Sequence, residues 1–288
     1  MPFPTLHHIR WLRRLALPWL FSLAAGPCQA AAAEPPTQLD RVEASGEACI
    51  EREQKTVSQL LKMRQAFDTY RSLAPEAKLY VRLYPRRAEA DLADLALELR
   101  SSAGRQPLLL DESQRFEIDP AWAALPSDAS VRSRLADGRL AWHPDVRTPG
   151  LPPNARRLGD LRLECHVDIY GADTLIRGVK LPAFYVARTL TDICATLKAG
   201  LYGHFADRPV FAITLVHGQR RMSLPYEQLH GSLASQDSPM FGLVDWGYWL
   251  RDRVYFAPLE DQSWPDDSLL VFEDMDETVA PAAKGLAP

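Results

Sequence analysis

The side chains best suited to recognition lie late in the chain, where Phe241, Trp246, Tyr248, Trp249, Tyr255, Phe256 and Trp264 crowd into one segment beside Asp245 and Arg251. A flat ring covers the apolar face of a pyranose while polar neighbours take its hydroxyls, and Trp and Tyr carry much of the energy of protein interfaces. Asp245, Trp246, Tyr248, Trp249 and Trp264 are therefore the candidate ligand-binding set, for a glycan or a stretch of protein. Parity limits the cluster. On a strand Trp246 and Tyr248 share one side and Trp249 takes the other, so some of these rings belong to a core.

Catalytic constellations are sparser. His143, His166, His204, His217 and His230 lack the i, i+4 spacing that sets two imidazoles on one helical face, and HExxH does not occur. His166 and Asp168 fall on one side of an apparent strand, where a neighbour can supply a third ligand or a general base. Alternate polar residues are equally what any half-exposed strand supplies. Gly231-Ser232, after His230, is not a GxSxG nucleophile elbow, and neither GxGxxG nor GxxxxGK[ST] is present. Glu260, Asp261, Asp266, Asp267, Glu273, Asp274, Asp276 and Glu277 form an acidic run without the DxDxDG order of a calcium loop, which fits a solvated edge. No pair of carboxylates stands out as a glycosidase centre. On these grounds no catalytic residue, metal ligand or cofactor is assigned.

The N-terminus points to export. Arg10, Arg13 and Arg14 precede an apolar run from Leu15 to Ala25, too short to span a bilayer, then Gly26-Pro27 and a series of small residues. This predicts a signal peptide over 1–33, cleaved after Ala30, Ala32 or Ala33, and no stable membrane span afterwards. Pro27 before Cys28 and Ala25 at −3 do not make a lipobox. Loss of three arginines from a chain of net charge −4 leaves −7, so the mature protein is acidic and ill-suited to a phosphate backbone. Nucleic acid is excluded as a partner on that ground. The marked preference for arginine over lysine reads as compositional bias. Periplasmic or secreted placement also permits disulfides, and Cys49, Cys165 and Cys194 allow three alternative pairings.

After a flexible lead-in over 34–45, Ile50, Val57, Leu60, Leu61, Phe67 and Tyr70 recur every three or four residues and predict an amphipathic helix over 46–75. Beyond Pro75 the period becomes two, with strands expected at Leu79 to Tyr84, Leu95 to Arg100, Leu108 to Leu110 and Arg115 to Ile118. Pro144 to Asn154 reads as a loop. Leu161, Leu163, Cys165, Val167 and Ile169 then alternate with polar residues and predict the strongest strand. A helix over Leu190 to Leu201 follows, then a strand from Val210 to Val216 covered on both faces and a hairpin through Gly218. Strands at Arg253 to Ala257 and Ser268 to Phe272 end the sheet.

The expected fold is α+β and predominantly β. A sandwich-like module over 76–180 resembles immunoglobulin-like or transthyretin-like sandwiches in pattern alone; a mixed helix and hairpin module over 181–278 and a disordered tail over 279–288 follow it. The expected role is an exported binding or accessory protein that recognises an envelope protein or glycan. The alternatives are a periplasmic hydrolase using carboxylates or the His166–Asp168 pair, and an envelope subunit that docks by its N-terminal helix.

Overall fold

The computed structural model describes residues 52–85, 92, 95–136, 138–172, 189–196, 202–230 and 252–275. The expected leader, lead-in and tail lie outside the described residues, as do Asp245, Trp246, Tyr248 and Trp249.

A strand, β1 (Arg52–Thr56), occupies the start of the segment expected to be helical, and helix α1 runs from Val57 to Thr69. Thr56 makes the change. Its hydroxyl accepts from the Gln59 N–H at 3.2 Å while the Gln59 side chain accepts from the Thr56 N–H at 3.0 Å, a reciprocal box that satisfies two otherwise orphan donors. Val57, Leu60, Met63, Ala66 and Phe67 then face inward.

Strands β2 (Lys78–Pro85), β3 (Leu97–Ser101), β4 (Gly104–Leu108), β5 (Arg115–Glu117), β6 (Ser130–Ala136) and β7 (Leu140–Arg147) form two antiparallel sheets, ordered β5-β2-β7 and β1-β6-β3-β4. Leu79 and Val81 of β2, Leu97 and Leu99 of β3, Val131 of β6 and Trp142 of β7 meet α1 in one core. The expected alternation over 79–84, 95–100 and 115–118 corresponds to β2, β3 and β5. The loop expected from Pro144 starts later, because β7 continues through Pro144 to Arg147. β7 is an edge strand, where the missing proline N–H costs the ladder least.

Strand β8 (Ala155–Arg157) leads into helix α2 (Leu158–His166), which continues as a π-helical turn over Val167–Ala172. The strongest expected strand is therefore a helix, and its burial explains the misleading pattern. Leu163 and Val167, four apart, enter the first core, whereas Leu161, Cys165 and Ile169, also four apart, enter a second core with Leu158. Two apolar stripes on different sides of one helix, offset by two residues, print an alternation with the period of a strand. The polar residues interleave likewise: Asp160, Glu164 and Asp168 make one stripe and Arg162 and His166 another. Gly159 lets this helix approach the preceding chain closely, since a Cβ there would lie 2.2 Å from the Leu73 carbonyl oxygen.

A short helix, α3 (Ile193–Thr196), is joined to α2 by a Cys165–Cys194 disulfide; Cys49 lies outside the described residues. Strands β9 (His204–Phe205) and β12 (Val254–Tyr255) pair with each other. β10 (Val210–His217), β11 (Arg220–Ser223) and β13 (Leu269–Asp274) join β8 in an antiparallel sheet ordered β11-β10-β13-β8, with Gly218 at positive φ in the hairpin turn. β10 has one covered face, not two. Ile213 and Leu215 are buried while Phe211 is 68% exposed, and an irregularity between Val210 and Ala212 shifts the parity so that Val210 is also buried. Among the described residues strand outweighs helix, and no helix is long and apolar enough to cross a membrane.

Candidate functional site

Charge collects in two contrasting places. The first lies where α2 meets β7, β8 and β9. Glu164 accepts from Arg156 at 2.7 Å, from His204 Nδ1 at 2.8 Å and from the Val146 N–H at 3.1 Å. Asp145 lies 2.6 Å from Arg147, 3.2 Å from Arg115 and 3.7 Å from Arg156. Asp207 accepts two bonds from Arg147, at 2.9 and 3.0 Å, and another from Arg82. Four guanidinium groups thus meet three carboxylates, and Asp168 adds a fourth that accepts from the Tyr202 hydroxyl at 3.2 Å and lies 4.0 Å from His143 Nε2.

The electrostatics follow the pairing. Burial alone would raise the pKa of Glu164, but Arg156 and the His204 bond hold it well below the ordinary carboxylate value. Asp145 is likewise lowered against its burial by Arg147 and Arg156, and Asp207 by Arg147 and Arg82. Burial lowers His204 despite Glu164, and burial raises Asp168 despite His143. Glu164, Asp168 and His204 are all buried. A cleft of about 380 Å³ reaches this network from outside, lined by Arg147, Arg156, Asp207, Arg208 and Asn154. Its two innermost arginines are already bound to carboxylates. The assembly is an internal framework that fixes α2 to the strands around it.

The second place is the outer side of the β1-β6-β3-β4 sheet. Because Leu97, Leu99 and Val131 turn into the core, the period of two puts Glu98, Arg100, Arg132 and Arg134 outside. Arg105 of β4 pairs directly opposite Arg100, and Glu98 stands opposite Arg132. These side chains line a concavity of about 590 Å³. Arg100 lies 3.4 Å from Glu98 and Arg132 donates to the Ser130 hydroxyl at 3.0 Å, whereas Arg105 and Arg134 have no carboxylate partner among the described residues. Four cations against one anion leave a formal +3 on an acidic chain. Like charges directly opposite on adjacent strands are destabilising, so Arg100 beside Arg105 favours an anion here, and among the described residues Glu98 alone supplies one. Guanidinium groups answer carboxylates and phosphates through paired N–H donors. This concavity is the candidate site.

The residues singled out from sequence fare differently. Trp264 is 1% exposed and its ring lies under the Arg220 guanidinium at 3.7 Å, so it is a core ring of the second cluster. Tyr255 and Phe256 are buried too. His166 and Asp168 do not act as a pair: on a helix, residues two apart diverge, and His166 meets Asp192 while Asp168 meets Tyr202. Within the acidic run, Asp266 accepts from Arg162 at 2.5 Å, and the same arginine donates to the carbonyls of Leu259, Asp261 and Trp264. The apolar face of α1 is used inside the first core, where Val57 and Phe67 are buried. The arginine face is hidden in the sequence because its members come from three strands, of which β4 lies before the expected 108–110 strand and β6 has no expected counterpart; Arg132 and Arg134, two apart beside Val131, are its clearest trace. No protein-family model, no curated protein and no solved structure matches this chain.

Proposed function

We propose that this chain is an exported, non-enzymatic envelope protein that binds an acidic glycan, one whose sugars carry carboxylate or phosphate groups, on the arginine-lined sheet face. The observation that carries it is the set of Arg100, Arg105, Arg132 and Arg134 around one concavity, with Glu98 as their single acidic neighbour among the described residues. The Cys165–Cys194 disulfide supports an oxidising compartment such as the periplasm. The two sheets that share the first core suit a sandwich-like module, an architecture that presents an open sheet face to a ligand. Trp246, Tyr248 and Trp249 are proposed as a second contact whose rings cover apolar sugar faces, with Asp245 accepting from sugar hydroxyls.

The test uses polygalacturonate as a carboxylated polymer, a phosphorylated dextran as its phosphate counterpart and plain dextran as the neutral control. Wild-type protein is expected to bind one or both charged polymers and not the neutral one, with affinity falling as salt rises because exposed charges are screened within about 8–10 Å at 0.1–0.15 M. Arg105→Ala and Arg134→Ala should each weaken binding about tenfold, the effect of losing one charge-assisted contact. Equal binding to plain dextran, or unchanged affinity in the arginine variants, removes the proposal.

A further inference from the structure

A separate corner of the molecule carries metal-ligand chemistry. His166 Nδ1 lies 2.7 Å from the Arg162 carbonyl oxygen, and since a carbonyl only accepts, Nδ1 bears the hydrogen. Nε2 therefore faces outward from the helix, where both Asp192 carboxylate oxygens lie 3.0 Å away. A bare lone pair there would oppose acceptor to acceptor, so a proton or a metal ion has to sit between ring and carboxylate. Cys194 completes the group: one ligand atom each from His166, Asp192 and Cys194 lies within 4.8 Å of the others. Cys165, bonded to Cys194, lies outside that group while the disulfide stands and becomes available as a fourth ligand only when the bond opens. Anchoring of the ring through Nδ1 on a backbone carbonyl is how a metal-binding imidazole is held in tautomer and orientation. Asp192 is also held, its carboxylate accepting from the Ala195 N–H at 3.1 Å, and the Tyr70 ring packs over His166 at 4.2 Å.

We propose that reduction of the Cys165–Cys194 disulfide turns this corner into a zinc site with ligands Cys165, His166, Asp192 and Cys194. While the sulfurs are bonded to each other they are poor ligands, and a proton bridges His166 and Asp192. A dithiol reductant transfers two electrons into the S–S bond, yielding two thiols and the reductant's own disulfide. Zinc then takes both sulfurs as thiolates and His166 Nε2 as a lone-pair donor, and the two thiol protons and the bridging proton pass to solvent. In a tetrahedral site with Zn–S of about 2.3 Å and Zn–N of about 2.0 Å, ligand atoms stand roughly 3–4 Å apart, so His166, Asp192 and Cys194 need to close in modestly, while the Cys165 sulfur has to part from Cys194 and turn toward them. Oxidation would expel the ion, which makes the corner a redox-gated metal store independent of the arginine face.

The experiment titrates Zn²⁺ into the full chain, oxidised or reduced with a phosphine under anaerobic conditions, against a chromophoric chelator, with Co²⁺ as a spectroscopic stand-in. One equivalent is expected in the reduced protein, with thiolate-to-cobalt charge-transfer absorption, and affinity at least a hundredfold lower in the oxidised protein. Asp192→Asn preserves the cap of α3 and should lower the reduced-state affinity at least tenfold, as should His166→Ala. Equal affinity in both redox states, absence of binding after reduction whether or not circular dichroism shows the fold retained, or an Asp192→Asn protein that binds as tightly as wild type would each overturn the site.

Discussion

Arginine plays opposite parts in two regions of this molecule. Around α2, Arg82, Arg115, Arg147 and Arg156 are each bound to carboxylates, and Arg156 is almost wholly removed from water. On the outer sheet face, Arg105 and Arg134 stand in solvent and Arg100 shares one glutamate's attention with Arg132. The same side chain is a structural tie where burial forces it to be paired, and an exposed cation where the described residues leave it in surplus. Residue type alone does not separate the two cases; the ratio of cation to anion within a few ångströms does.

That contrast breaks first at the interior. Glu164→Gln leaves Arg156 as a buried cation without its main counter-charge and is expected to cost about 3–5 kcal/mol of stability, measured by urea unfolding. A loss below about 1 kcal/mol would mean that water reaches the pair. Cys194→Ser, which unties α3 from α2, should cost about 2–4 kcal/mol in the same assay.

The pH dependence is a subtler measure of the same pairing. Glu164, Asp145 and Asp207 have depressed pKa values in the fold, so their contribution is fully present above the ordinary carboxylate range and is lost progressively as pH falls from that range down through the depressed folded values. His204 has a lowered value and is held neutral; below about 6.5 the unfolded chain gains the proton more readily, so this group also weakens the fold on acidification. Asp168, raised by burial, acts in the opposite direction and offsets part of the loss. The urea midpoint should therefore decline from pH 7 to pH 5 and more steeply below pH 4, and the steeper segment should flatten in Glu164→Gln.

On the exposed face the expected change in stability is the smallest of all. Arg105→Ala should stay within about 0.5 kcal/mol of wild type, with a slight gain as the repulsion from Arg100 is relieved. A large loss would place Arg105 among the structural arginines and end the contrast.

Where only one face of an element is covered, the sequence could be read directly. Leu97 and Leu99 alternate with Glu98 and Arg100 because β3 has one side in the first core and the other toward water, and β10 and β13 follow the same rule. Elements wrapped on several sides misled. In α2 two apolar stripes interleave, and no local property of Leu161 to Ile169 distinguishes that from a strand. The apolar spacing of the N-terminal helix continues back through β1 and so overstates its length, while the deciding signal, Thr56 with Gln59 three residues on, is short. The framework around Glu164 was hidden for a different reason: Asp145, Arg156, Glu164 and His204 come together through tertiary packing, with as many as 40 residues between bonded partners.

Helix α2 has no idle side, and this bears on how the segment can vary. Deleting or inserting one residue before Leu161 would turn everything beyond it by about 100°, carrying Glu164 toward apolar neighbours, Cys165 away from Cys194 and His166 away from Asp192 in a single stroke. A surface helix absorbs such a slip by re-aiming one polar flank at water. Here every direction is taken, so the reading frame of fifteen consecutive positions, 158–172, is locked as a unit, and tolerated change is confined to exchanges that keep both size and charge.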